Sequence, residues 1–233
     1  ECAGGCKVSI QTSFPVSMEL FTSYREIATD QSKAGKVMRT ILMRLGSEVY
    51  EQICLAAASA DEDRGTAIYY VLHRAFGGGR CEKRVMEALA DPYVSRVAKL
   101  ALCVKREYHH YFGFVRFREI SGRFLLAKIQ PGNDILSLMA LHFSNRFPNE
   151  NWVIYDEKRQ KALCHEKGKE CVMRKGVRIQ VPGSAVGDMG EYEELWQTFC
   201  DSISIEARRN ETLQKQMLAL HFRSNMPEFS VKG

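Results

Sequence analysis

The fold of this chain is decided by residues 105–120, which read KREYHHYFGFVRFREI. In the first half of this stretch the apolar residues recur every three or four positions, which is typical of a helix. In residues 114–120 they alternate with Arg116 and Arg118, which is typical of a strand with both arginines on one face. Gly113 lies at the change of period and is expected to end the helix. The switch predicts an α+β protein, with a helical first half followed by a sheet.

Start and stop signals divide the residues before this stretch into helices. Asp30 is a typical N-cap, and Gly46 is expected to end the apolar repeat that follows it. Asp91 and Pro92 open the long helix, since proline suits the first helical position. The expected helices run from Asp30 to Gly46, from Ser47 to about Ala58, from Asp61 or Asp63 to the glycines 77–79, over 82–90, and from Pro92 to Phe112.

Short alternating segments follow, separated by turn residues. Residues 114–120 and 124–130 are expected to form a hairpin across the turn at Ser121 and Gly122. Pro131, Gly132 and Asn133 end its second strand, and Asp134 is expected to cap a helix over 135–147. Three more strands are predicted at 152–156, 161–165 and 170–174. Because hairpins dominate, the sheet should be mostly antiparallel, with helices on one face.

The domain organisation follows from these elements. We expect a helical region over 1–112, a sheet with one helix over 113–174, a linker over 175–190, and a C-terminal helix and tail over 191–233. The linker is rich in glycine and contains Pro182, and the last helix is expected over 192–205. The four regions are expected to form one compact unit.

Composition bounds the location of the protein. The chain has 233 residues and a formal net charge of +5, which permits an anionic partner without requiring one. No apolar stretch is long enough to cross a bilayer, and no secretory signal is visible near Glu1, so a cytoplasmic protein is expected. The eight cysteines are therefore expected to be reduced. The spacing of Cys164, His165 and Cys171 fits no common zinc knuckle, so neither a metal nor another cofactor is predicted.

No self-sufficient enzyme motif is present: the sequence lacks a phosphate-binding loop, a nucleophile elbow, a zinc-protease motif and the motifs of uracil-DNA glycosylases. One dense polar group provides catalytic candidates, namely Glu107, His109 and His110. A hydrolase uses histidine with glutamate to hold a metal or to activate water. The alternative is that the histidines only pack at the C-terminal end of a helix, where the helix dipole favours a cation.

Clustered cations provide the candidates for nucleic-acid binding, because phosphate contacts need positive charge and little fine geometry. One face of the long helix is cationic along its length, and its alternative interpretation is a solvated helix face. Trp152 offers a ring for base stacking, or it belongs to the core. The predicted binding residues are Arg96, Lys99, Arg106, His110, Arg116, Arg118, Arg146, Trp152, Arg208 and Arg209.

Two stretches resemble a known family. Residues 105–117, KREYHHYFGFVRF, and residues 142–156, HFSNRFPNENWVIYD, are similar to the hallmark segments of an uncharacterised bacterial family labelled "probable DNA metabolism protein". Further similarity lies at Asp91 and Pro92 and at Pro131–Asp134. The resemblance implies a role beside a radical SAM protein that modifies or repairs DNA, and some relatives are fused to a uracil-DNA-glycosylase-like domain. The family's usual opening segment, Asp-Gly-Ser-x-x-Gly-Phe, is not found here.

Three functions stay open from the sequence. The first is an accessory protein that binds DNA, duplex or single-stranded, and works with a radical SAM or uracil-DNA-glycosylase-like protein. The second is a nuclease or glycosylase-like hydrolase that uses the region of His109 and His110. The third is a protein-interaction scaffold whose cationic helix face only confers solubility.

Overall fold

The structure, a computed structural model, describes residues 8–12, 17–18, 20–77, 84–120, 124–179, 195, 198–199, 202, 210–218, 220–223, 226 and 229. The chain forms two compact units, Glu1–Arg106 and Glu107–Gly233, whereas one compact unit was expected from the sequence. Within the described ranges, no helix is long and apolar enough to cross a membrane. The predicted turn at Ser121 and Gly122, residues 180–190 of the predicted linker, and Arg208 and Arg209 lie outside the described residues.

The first unit is helical, as predicted. Asp30 caps its first helix, because a carboxylate oxygen accepts the backbone N–H of Lys33 at 3.0 Å. Gly46 separates the first two helices with a φ of 96°, a conformation that glycine adopts without strain. The elements are α1 (Gln31–Leu45), α2 (Ser47–Ala58), α3 (Arg64–Gly77), a 3-10 turn (Val85–Glu87) and α4 (Pro92–Phe114), which continues into the second unit.

The core of the first unit is aliphatic. Val71 of α3 and Val94 and Val97 of α4 are almost completely buried, and each such side chain stabilises the fold by about 1.5–3 kcal/mol. Asp91 caps α4 through the backbone N–H groups of Tyr93 and Val94. The pKa of Asp91 is lowered: burial opposes the shift, but hydrogen bonds from Arg74, Val94 and Tyr93 favour the carboxylate.

The second unit contains a five-stranded sheet in the order β1-β2-β3-β4-β5. Three of its four strand pairs are antiparallel, and β2 and β3 are parallel, joined through α5. The α+β prediction with a mostly antiparallel sheet is therefore confirmed. The elements are β1 (Arg118–Ile120), β2 (Phe124–Ile129), α5 (Leu136–Arg146), β3 (Trp152–Asp156), β4 (Lys161–His165), β5 (Val172–Lys175), α6 (Glu211–Met217) and α7 (Leu220–Arg223).

The two faces of the sheet bury different sets of side chains. Strand alternation places Trp152 and Ile154 of β3 on one face, and Phe143 of α5 lies near Trp152, with ring centroids 6.2 Å apart. The other face carries a cluster of buried residues, Ile120, Leu126, Tyr155 and Ala162, with Phe124, Val153, Cys164 and Ile179 packed against it.

The predicted strand over 114–120 is wrong in its first half. The helix α4 continues through Gly113 to Phe114, and β1 begins only at Arg118. A glycine inside a helix costs only about 1 kcal/mol relative to alanine. Aromatic contacts stabilise the last turn of α4. The rings of Phe112 and His142 stack with centroids 3.9 Å apart, and the ring centroids of Phe114 and Phe222 are 5.0 Å apart. Arg116 and Arg118 therefore do not alternate along one strand.

Two further element predictions are corrected. The helix expected over 82–90 is, within the described residues, the 3-10 turn Val85–Glu87. Asp134 does not cap α5: Ile135 occupies the N-cap position without a side-chain hydrogen bond. The Asp134 carboxylate instead pairs with Lys161, because the loop before α5 presents it to the start of β4.

Candidate nucleic-acid interface

The side chain of Glu107 binds the loop that follows β2, and we call the contacts that hold this loop the clamp. Its carboxylate accepts the backbone N–H of Gly132 at 2.6 Å and that of Asn133 at 2.9 Å, and it accepts the side-chain amide of Asn133 as well. Charge-assisted bonds of this kind are about twice as strong as neutral ones. Glu107, which the sequence offered as one of three catalytic candidates, therefore binds the loop in this structure.

Arg159 holds the same loop from the other side. Its guanidinium donates to the carbonyl oxygens of Pro131, at 2.9 Å, and of Gly132. It also pairs at 3.1 Å with Asp156, whose side chain is completely buried at the end of β3. A buried carboxylate needs such a partner, because an unpaired charge in the interior is costly.

The clamp lies at the carboxyl ends of the parallel strands β2 and β3, where open α/β sheets often bind ligands. In this chain the polar side chains at that position, Glu107 and Arg159, are bound to the loop and to Asp156. Tyr111 completes the arrangement: it is buried, its hydroxyl makes a hydrogen bond with the backbone of Gln130, and burial together with the nearby charge of Glu107 raises its pKa. We therefore interpret the clamp as a support for the loop before α5.

Neither of the candidate histidines, His109 and His110, forms a hydrogen bond with Glu107. Both are exposed, and their rings contact aromatic neighbours: His109 lies 6.0 Å from Phe112, and His110 lies 5.9 Å from both Phe114 and Phe222. Glu107 and His109 are two residues apart, so their side chains leave α4 about 200° apart around the helix axis. His110 is three residues after Glu107 and leaves the helix on a neighbouring face, but its ring contacts Phe114 and Phe222 while Glu107 binds the loop. No group of three or more potential metal-ligating side chains occurs among the residues that the structure describes.

His142 of α5 lies in an aromatic stack. Its ring is nearly parallel to that of Phe112, with centroids 3.9 Å apart, and its Nε2 is buried without a hydrogen-bond partner in the described part of the chain. Burial lowers the pKa of this imidazole, and the charges of Arg146 and His109 act in the same direction. The neutral ring therefore suits this position, and we assign His142 a packing role.

The predicted cations of α4 differ in whether they form ion pairs. Lys99 and Arg106 are exposed, and neither makes an ion pair with another described residue. Arg96 is also exposed but pairs with Asp61. These three residues lie in the first unit, whereas His110 lies in the second. The predicted cationic face of α4 is thus present as an exposed row, with Arg96 partly neutralised.

The other predicted binding residues lie in the second unit. Arg116 is half-buried and donates to the carbonyl oxygen of Gly113 at 2.8 Å, so it helps to terminate α4. Arg118 is exposed on β1, and Arg146 is exposed with its guanidinium 5.6 Å from the centre of the Phe147 ring. These two arginines are accessible to a phosphate.

Trp152 belongs to the core and not to a surface. Its side chain is 0% exposed, and its ring stacks on His165 with centroids 5.1 Å apart. Phe117 and Phe143 contact it edge-on. A ring without an exposed face cannot stack on a base, so the predicted binding role of Trp152 is wrong in this arrangement.

The structure also presents exposed cations that were not predicted. These are Lys158, in the turn after β3, and Arg174, Lys175 and Arg178, at the end of β5 and just beyond it. Their side chains come from segments that are separate in sequence, so only the strand register reveals the group. The alternation of residues 161–165 and 170–174, which predicted two strands, was the available signal.

Comparison with known proteins identifies one family. A family model described as a domain of unknown function, DUF4130, matches residues 62–228, more than half of the chain. No curated protein and no solved structure matched the chain.

Proposed function

We propose that this chain, which belongs to the DUF4130 family, is a nucleic-acid-binding accessory protein of DNA metabolism. The observation that carries the proposal is the exposed row on α4, in which Lys99 and Arg106 lie seven residues apart. Seven residues are about two helical turns, so both side chains lie on one face, about 10 Å apart along the helix axis. That distance corresponds to the rise of about three nucleotides of one strand along the DNA axis.

The charge balance of α4 supports the proposal. The helix carries Arg96, Lys99, Lys105 and Arg106 but only one carboxylate, that of Glu107. Arg96 pairs with Asp61 and Lys105 lies 4.0 Å from Glu51, which leaves Lys99 and Arg106 without an ion pair to a described residue. Because Glu107 binds the loop at Gly132, it does not neutralise the row. Backbone-phosphate binding needs such a cluster of cations and no catalytic geometry. The position of Glu107 gives the hydrolase hypothesis no comparable support.

Replacing Lys99 and Arg106 together with alanine is expected to weaken DNA binding for all sequences alike. The slope of the logarithm of affinity against the logarithm of salt concentration should fall by about 2 for a duplex, from roughly 0.9 for each lost phosphate contact. The measurement is fluorescence anisotropy with labelled single-stranded, duplex and uracil-containing oligonucleotides over a range of salt concentrations.

The control for this experiment is the double variant Lys36→Ala and Arg39→Ala on α1. It removes the same two residue types from an exposed helix face of the same unit. If both double variants bind DNA as the unaltered protein does, the row on α4 is only a solvated surface, as the scaffold hypothesis states.

A partner protein is part of the proposal and rests on the family resemblance. We propose that the chain works with a radical SAM protein or a uracil-DNA-glycosylase-like protein. Affinity purification of the tagged chain from its native cells should recover such a protein, identified by mass spectrometry. Its absence from repeated purifications under gentle conditions would count against this partnership.

A further inference from the structure

Four exposed cations lie at one corner of the sheet in the second unit. We call this group, formed by Lys158, Arg174, Lys175 and Arg178, the β5 edge. Strand β5 is the last strand of the sheet, so one side of its backbone has no neighbouring strand within the sheet. The group is exposed throughout.

The register of the sheet places Arg174 and Lys175 on opposite faces of the edge strand, so that the two side chains flank its open side. Lys175 stands opposite Lys161 at the start of β4, and Arg174 stands opposite Ala162. Beyond β5 the backbone turns at Gly176, whose φ is 67°, and the N–H of Val177 donates to the carbonyl oxygen of Gln160 at 3.1 Å. The residues on either side of Lys175 are thereby fixed beside the turn that carries Lys158.

The hydroxyl of Tyr155 also donates to the carbonyl oxygen of Val177, at 3.0 Å. This second bond attaches the segment to the central strand β3. Arg178 follows Val177 directly, so the backbone that carries it is held in place. The four cations are therefore presented by fixed backbone rather than by a free tail.

The charges at this corner are not balanced within the described part of the chain. Directly opposed like charges on neighbouring strands destabilise a sheet. Lys161 is paired with Asp134, but no described carboxylate lies within ion-pair distance of Arg174, Lys175 or Arg178. Residues 171–179 contain no acidic residue. An anion bound at the β5 edge would supply the missing negative charge.

We propose that the β5 edge binds the sugar–phosphate backbone of a nucleic acid, as a second contact surface in addition to α4. The inference rests on the proposed function, because it assigns the same ligand. Arginine suits phosphate oxygens through its planar fork, and two of the four residues are arginines. A membrane surface fits less well, since exposed apolar side chains strengthen membrane binding, and Val177 and Ile179 beside the edge are half-buried. Val172 is exposed but lies at the other end of β5.

The test compares two double variants of the same hairpin. Arg174→Ala with Lys175→Ala removes two cations of the β5 edge, and Lys167→Ala with Lys169→Ala removes two exposed cations from the turn at the other end of β5. The edge variant should lower the salt slope of duplex binding by about 2 relative to the control, and single-strand binding by about 1.4. Its melting temperature should equal or exceed that of the unaltered protein, because the opposed Lys161 and Lys175 are relieved.

The outcomes separate this inference from the proposed function. If the α4 variant weakens binding and the edge variant behaves as its control does, the β5 edge is not a contact surface and the proposed function stands. If the unaltered protein binds no oligonucleotide, both proposals fail. If the edge variant loses binding only to phosphatidylserine vesicles, the surface is a membrane contact and the inference is overturned.

Discussion

Replacing Trp152 with alanine is expected to lower the free energy of unfolding by about 3–5 kcal/mol, the range for large aromatic truncations in a core. The side chain is completely buried, stacked on His165 and surrounded by Phe117 and Phe143. Truncation would leave a cavity that these rings cannot close without changing their packing. Chemical denaturation monitored by far-ultraviolet circular dichroism measures the loss.

The companion variant is Trp152→Phe, which keeps an aromatic ring at this position. The indole N–H of Trp152 is buried and has no hydrogen-bond partner in the described residues, so phenylalanine removes volume but no hydrogen bond seen there. Its cost should be smaller than that of alanine, and its affinity for DNA should equal that of the unaltered protein. A drop in affinity at unchanged stability would restore the stacking role that the sequence predicted.

The regular strands could be predicted from the sequence because their signals are local. Residues 152–156 and 161–165 form β3 and β4 with the predicted bounds, since one face of each strand is buried and the alternation shows it. The cap at Asp30 was also predictable, because its partner Lys33 lies three residues away. In each case the interaction that decides the structure falls within one short window of sequence.

The wrong predictions of secondary structure arise where contacts with residues distant in sequence determine the local conformation. Gly113 remains helical because Phe112 and Phe114 pack on His142 and Phe222, which lie far along the chain. Asp134 pairs with Lys161 instead of capping α5, and this partner is 27 residues away. A local preference for a glycine stop or an aspartate cap is worth about 1 kcal/mol, so a few tertiary contacts override it.

In the candidate site, too, the features with local signals were predictable and those that depend on distant residues were not. The cationic face of α4 follows from helical spacing alone, and the structure presents Lys99 and Arg106 as exposed residues. The β5 edge depends on which residues stand opposite one another across two strands, and the sequence does not state the register. Glu107 was a catalytic candidate because it is close in sequence to two histidines, although its hydrogen-bond partners begin 25 residues further on.

Replacing Glu107 with alanine is expected to lower the free energy of unfolding by about 2–3 kcal/mol, because hydrogen bonds to a charged group are worth roughly 1.5–3 kcal/mol each and part of the loop can regain water. The substitution removes the carboxylate that accepts hydrogen bonds from the backbone N–H groups of Gly132 and Asn133 and from the side-chain amide of Asn133. Thermal and chemical denaturation provide the measurement, and the second unit should account for the change.

Two further variants test whether Glu107 acts as a clamp. Glu107→Gln keeps one carbonyl oxygen as an acceptor but presents an NH₂ group to the donors of the loop, so its stability should lie between those of the unaltered protein and Glu107→Ala. Glu119→Ala removes a carboxylate from an exposed position of β1 in the same unit and should change stability by less than about 0.5 kcal/mol. A Glu107→Ala protein as stable as the Glu119→Ala control would show that the carboxylate does not support the loop. Glu107 would then remain the catalytic candidate that the sequence offered.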